Sequence, residues 1–285
     1  MENKIKKFFK KLFIILKKEE MRILPGNIAF FLVFSIIPII TLFVFLGSLF
    51  NFDTIELINF FNNNFPKSIS NILVPAFTSE TVNFSLIIIL VLSLYVASNG
   101  AHSIIISSNK LYKINDKSYI KERIKAIYLI ILILLLLIFM FILPIFGNNI
   151  INFIGKFLNN NVFLLIETIF NILKFPISLL FIYIIVKLIY TIAPSKKLKS
   201  SDMTKGSIFT TISWVLASIL FSFYLTHFAN YSRVYGNLSN IIVLILYIYI
   251  LSYIFVVGLS LNALKYELNN EIEKTDRIKI IKLKD

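Results

Sequence analysis

Six long apolar runs, separated by polar and charged connections, organise the chain. They lie at about Ile28–Phe50, Val82–Ser107, Ile124–Phe146, within Val162–Ile192 (nearer Ile169–Ile192), at Ser207–Phe228 and at Leu238–Leu264. A helix needs about 20 mostly apolar residues to cross roughly 30 Å of hydrocarbon, and each run is that long. The runs are rich in Ile and Phe, which also favour strands. Their length decides for helices, because a barrel strand needs only about 9–11 residues with period-two alternation. Backbone polar groups in lipid must be satisfied inside the segment, which a helix achieves. The first run is too long for a cleaved leader and has no small-residue site after it, so it reads as a retained anchor.

The cationic residues orient these runs. Eight of the 29 Lys and Arg precede the first run. Six flank the second connection, four the fourth, and six follow the last run. The alternate connections hold only Lys67, Lys156 and Arg233. This positive-inside pattern places both termini in the cytoplasm. The formal net charge of +14 is therefore a topology signal and a contact surface for anionic lipid heads, not a nucleic-acid footprint. Hydrophobic residues make up 58% of the 285 residues and charged ones 15%, which excludes a soluble globular or disordered chain. There is no cysteine, so no disulfide framework and no thiol chemistry is available.

Residues 1–25 read as a cytoplasmic amphipathic segment. Ile5, Phe8, Phe9, Leu12, Phe13, Ile15 and Leu16 recur at helical spacing among lysines, the pattern of a helix lying on the inner leaflet. Residues 26–264 hold the membrane domain and 265–285 a basic tail. Asn51–Thr81, the one long connection, carries apolar stripes that predict packing over the outer mouth of the bundle. Contacts to anionic lipid heads are expected from Lys7, Lys11, Lys197 and Lys265. Lys187 is placed to snorkel, and Lys174 to do the same or to pair with Glu167.

Polar residues within apolar runs are costly, so they are the candidates for function. Ser35, Pro38, Ser98, Asn99, His102, Ser213, Ser260 and Asn262 are the candidate lining of a polar cavity. Ser35 lies about seven residues, roughly 10 Å, into its helix, and Asn99 a similar depth from the other direction. Most of the set lies toward the cytoplasmic half. Facing inward, these residues line a pocket open to the cytoplasm; facing each other, they fasten helices together. Pro38 removes a ladder hydrogen bond from the first helix and should kink it. His102 and His227 lie toward opposite ends of their helices, so a shared metal is not expected. No metal or cofactor is expected.

Enzyme signatures are missing. The chain has no His-x-x-x-His pair, nucleophile elbow, Walker loop or Gly-x-Gly-x-x-Gly. No carboxylate stands near either histidine in the sequence, so no serine–histidine hydrolase is expected. Nothing points to nucleic acid.

The stretch Asn27-Ile-Ala-Phe-Phe-Leu-Val-Phe-Ser35-Ile-Ile-Pro38 resembles the first-helix signature of the YihY/BrkB family of bacterial inner-membrane proteins. Ala29, Phe30, Phe31, Ser35 and Pro38 occupy its positions. Gly100, Asn109 and Tyr112 resemble the family's second-helix exit. Pro194, Lys205-Gly206, Trp214 and Tyr224 resemble its fourth connection and fifth helix. Tyr235-Gly236 and Gly258-Leu-Ser-Leu-Asn262-Ala263 resemble its sixth. The likeness covers about Arg22–Leu264. Two positions depart: Ser260 stands where the family usually has Glu, and Tyr247 where a Trp is common. The resemblance implies six helices in the cytoplasmic membrane. Family members have carried a ribonuclease BN label, which these residues do not support, and a virulence label, which names no chemistry. For some members it implies transport of lipid or envelope components.

The expected fold is thus all-α: an integral membrane bundle of six transmembrane helices with an N-terminal interfacial helix. Its place is the bacterial cytoplasmic membrane. The expected function is non-enzymatic, the transport or binding of a lipid, amphiphile or small solute. The alternative is a scaffold or regulator of envelope assembly. The expected partners are membrane lipids, especially anionic ones, and a lipid or small-solute ligand. No oligomeric state is implied.

Overall fold

The computed structural model describes residues 10, 13, 14, 16–49, 84–114, 118–155, 159–227 and 239–282. Its helices are α1 (Glu20–Leu49), α2 (Phe84–Leu111), α3 (Tyr119–Gly155), α4 (Asn160–Ile192), α5 (Thr204–His227) and α6 (Ser239–Lys282). A 3-10 turn at Ser200–Met203 leads into α5. Among the described residues every regular element is helical. Three described stretches are long and apolar enough to cross a membrane: Val162–Ile192, Ser200–Leu225 and Ile241–Glu267.

The helices outrun the apolar runs. α1 starts at Glu20, before the expected Ile28, so part of the expected interfacial segment continues the first helix. α6 runs on through Lys282, so the basic tail begins as helix rather than as a separate extension. Polar residues at helix ends cost little, so hydropathy alone undercounts helix length. Of the expected interfacial helix, Phe13, Ile14 and Leu16 are exposed, and Lys17 Nζ sits 4.5 Å from the Phe13 ring centroid. The rest of it, with Lys7 and Lys11, and all of Asn51–Thr81 lie outside the described residues.

Each helix packs on its neighbour in the chain, and α6 closes the ring against α1. Consecutive elements lying side by side is the usual consequence of short connections. The chain alternates direction, which gives the bundle two ends. One end gathers Lys110, Lys121, Arg123, Lys125, Lys197 and Lys265; it is called the basic end here.

The core sits toward that end. Its fully buried large side chains include Ile28, Ile105, Leu129, Val186, Tyr190 and Leu259. Among described side chains, α4 buries none before Ile182, α5 none after Thr211 and α6 none before Ser252.

Candidate functional site

A close helix crossing joins α5 and α6. A Cβ on Gly206 would run into the Gly258 carbonyl, and one on Gly258 would lie 2.6 Å from Tyr190 Oη and 2.9 Å from the Gly206 carbonyl. Only glycine at both positions lets the backbones meet, as small residues do in membrane bundles. Asn262 closes this crossing. Its Oδ1 accepts from Gly206 N–H at 2.8 Å, and its Nδ2 donates to the Met203 carbonyl at 3.1 Å. It thereby serves the unpaired backbone groups where the 3-10 turn enters α5. Tyr190 Oη, fully buried on α4, lies 2.7 Å from Thr210 Oγ1 and donates to the Phe255 carbonyl at 2.7 Å. Trp214 Nε1 donates to the Leu251 carbonyl at 2.9 Å. Three helices are thus pinned at one height.

A second cluster joins α2, α3 and the connection after α4. Its centre is Glu122, which is 6% exposed. One carboxylate oxygen accepts from Asn109 Nδ2 at 2.6 Å and from Ser195 Oγ at 3.2 Å. The other lies 3.4 Å from His102 Nε2. Asn109 also donates to Ser195 Oγ at 2.8 Å and accepts from Ser195 N–H at 2.7 Å. Lys125 Nζ donates to the Pro194 carbonyl at 2.8 Å. A buried carboxylate needs such donors, because its desolvation is otherwise prohibitive. Tyr112 Oη, just past α2, contacts Met203 Sδ at 3.3 Å. Burial first, then Asp202 and Tyr266, push its hydroxyl above the usual tyrosine range, so it stays a neutral donor.

The expectation that no carboxylate stands near a histidine is corrected by this cluster, since Glu122 reaches His102. The arrangement is not a nucleophilic triad. Ser195 and His102 bind the carboxylate separately, whereas a triad needs the imidazole between nucleophile and acid.

The candidate cavity residues fall into separate contacts. Ser35 Oγ donates to the Phe31 carbonyl at 2.7 Å, and a Cβ on Gly100 would stand 2.9 Å from that oxygen. Asn99 Oδ1 accepts from Arg123 Nη1 at 2.8 Å. Ser98 Oγ donates back to the Tyr95 carbonyl at 2.7 Å. Ser260 Oγ lies 4.0 Å from Met21 Sδ. Ser213 is partly exposed on α5. Pro38 lies within α1, its side chain outside the described set. The structure therefore brings His102 to the Glu122 cluster and Asn262 to the glycine crossing, and joins Ser35 with Gly100. Lys265 pairs with Asp202 at 2.7 Å, and Lys197 is exposed. Lys174 lies over the Phe170 ring, 6.0 Å from its centroid, and forms no described ion pair with Glu167.

Toward the far end, α5 and α6 leave an apolar groove of about 420 Å³, lined by Ala217, Leu220, Phe221, Tyr224, Leu246 and Ile250. The groove is shallow and mostly open on its outer side. Among the described residues no group of three or more His, Cys, Asp or Glu could hold a metal.

The family described as virulence factor BrkB matches residues 16–279. The chain belongs to it. A protein named ribonuclease-like YfkH, from Bacillus subtilis, is 30% identical over 91% of this chain and 95% of its own. A UPF0761 membrane protein of Haemophilus influenzae is 30% identical over 34% of this chain and 36% of its own. Another from Prosthecochloris aestuarii is 36% identical over 26% and 17%. No solved structure matches the chain. The BrkB family match, these relatives and the apolar helices together make this a membrane protein.

Proposed function

We propose that this BrkB-family chain is a six-span, non-enzymatic protein of the bacterial cytoplasmic membrane, with both termini in the cytoplasm. It binds a lipid or amphiphile drawn sideways from the bilayer, as a step in moving it. The observation that carries this reading is the apolar groove between α5 and α6, which opens beyond a glycine crossing that closes the same two helices. An apolar groove in hydrocarbon is filled by acyl chains, and Tyr224 adds a polar handle at its edge. The positive-inside bias supports the orientation.

Native mass spectrometry of protein released from its own membrane in mild detergent tests this. Wild type should retain a defined lipid or amphiphile, and Ala217→Phe, which fills the groove, should lose it. Equal retention by the two would sink the reading.

The second reading is a scaffold or regulator of envelope assembly. The tightly fastened basic end favours it, because a bundle locked there offers fixed surfaces rather than a passage. Retention of no small molecule by folded wild type would turn attention to it.

A further inference from the structure

On the basic rim counted as a topology signal, Arg123 is held by uncharged partners. Lys265 has Asp202 and Lys113 has Glu267 as ion-pair partners. Arg123 has no carboxylate within 4.0 Å among the described residues. Its neighbour Glu122 serves Asn109 and Ser195 instead.

Arg123 is also deeper than its sequence position implies. The contact between Glu122 and His102 sets the first turn of α3 level with His102 on α2. From there the Arg123 side chain runs back along α2. Nη1 donates to Asn99 Oδ1 at 2.8 Å and Nη2 to the Tyr95 carbonyl at 3.1 Å. The guanidinium lies 4.0 Å from the Tyr95 ring centroid. At about 1.5 Å per residue, the head sits roughly 5–10 Å below the start of α3, the depth of the headgroup and acyl boundary.

Arginine carries five N–H donors, and the structure commits two of them. Nε is buried with no partner. The contact to the Tyr95 carbonyl is on the exposed face, and Tyr95 is itself exposed. Leu92 and Val96 on α2 and Ile120 and Ile124 on α3 continue this face as exposed apolar surface. A fixed guanidinium with no carboxylate partner among the described residues, at interfacial depth beside Tyr95 and apolar stripes, matches a lipid whose phosphate is anionic and whose chains run alongside.

We infer that Arg123, held by Asn99 and Tyr95, is the headgroup site for an anionic phospholipid on the α2–α3 face. The free Nη–H groups meet the phosphodiester oxygens, in the forked geometry that arginine provides and lysine does not. This site is separate from the α5–α6 groove; the inference adds a headgroup contact to the proposed lipid handling and rests on that reading.

The test uses the full chain in nanodiscs of phosphatidylcholine with a minor fraction of phosphatidylglycerol, followed by native mass spectrometry of retained lipid. Wild type should retain phosphatidylglycerol selectively. Arg123→Gln should lower that retention by about tenfold, the loss of a charge-assisted contact. Asn99→Asp should do the same while keeping the side-chain contact, because it neutralises the arginine in place; it decides the matter if Arg123→Gln does not fold. Lys199→Gln, at an exposed lysine given no lipid contact, should match wild type. Unchanged retention in folded Asn99→Asp overturns the inference, and so does displacement of the lipid by inorganic phosphate, which would mark a free-anion site. Retention of phosphatidylcholine alone overturns the headgroup assignment but leaves lipid binding standing. A wild type that retains no lipid overturns both.

Discussion

The two halves of α5 show how this bundle is built. From Gly206 to Thr211 the helix buries Gly206, Ser207, Thr210 and Thr211. From Ile212 onward it exposes Ile212, Leu216, Ile219, Leu220 and Phe223. The small and polar residues are inside and the large apolar ones outside, the inverse of a water-soluble helix. Lipid tails are as apolar as leucine, so leucine gains little by leaving them. Polar groups and close backbone contacts gain much, because nothing in hydrocarbon satisfies them. Among the described side chains, the packed part is therefore where the small and polar residues are, at the basic end.

The largest effect expected from that contrast is at the glycine crossing. Gly258→Leu places a side chain against Thr210 Oγ1, the Tyr190 hydroxyl and the Gly206 backbone, the last of which cannot swing aside as a side chain can. Overpacking of this kind costs about 3 kcal/mol or more where the backbone cannot shift. The expected outcome is loss of the monodisperse peak in detergent chromatography. Wild-type elution and melting would show that the two backbones part freely.

Glu122→Leu comes next. It removes the acceptor of Asn109 and Ser195 and the partner of His102, while Asn109 and Ser195 keep their contacts with each other. Hydrogen bonds to charged groups are worth about 1.5–3 kcal/mol, so the thermal midpoint in detergent should drop clearly. Glu167→Leu, toward the far end of α4, should leave the midpoint within measurement error. A Glu122→Leu protein as stable as the Glu167→Leu protein would break the contrast between the halves.

Tyr190→Phe is gentler. It keeps the ring and leaves Thr210 and the Phe255 carbonyl without their shared partner. Interhelical hydrogen bonds in bilayers average about 0.6 kcal/mol and reach about 1.7, and this doubly bonded hydroxyl belongs in the upper part of that range. Unfolding titrated with denaturing detergent would read it.

The sequence showed the halves unevenly. The helices were legible because length and hydropathy are local, and BrkB membership because motif order survives along the chain. The polar positions were legible too, but whether they face a void or one another is a tertiary fact. Ser35 and Asn262 were singled out as polar residues within apolar runs, and only the neighbours Gly100 and Gly206 show what they touch. Glu122 was missed because it stands between Lys121 and Arg123, in a run that reads as a solvated flank. It is buried because α2 extends past the start of α3 and covers it, which no local pattern records. The signal that could have found it was Asn109, whose place in the family resemblance marked an amide needing a partner. Arg123 was hidden in the same way, counted as a flank charge although its head runs back along α2. Tyr190 was one aromatic among 13 tyrosines, with nothing local to set it apart.

The smallest expected effect is the sharpest test of the far half. Leu220→Ala removes a large side chain from α5 at the wall of the groove. In a water-soluble core the same change costs about 2–5 kcal/mol. Leu220 is exposed here, so lipid contacts already stand in for protein contacts in the folded state. The midpoint in detergent should therefore move by no more than about 0.5 kcal/mol, as for surface positions. Lipid retention should fall, because the widened groove holds an acyl chain less closely. A loss of several kcal/mol would instead mean that Leu220 packs against protein, and that the far half is held by the same kind of contact as the basic end.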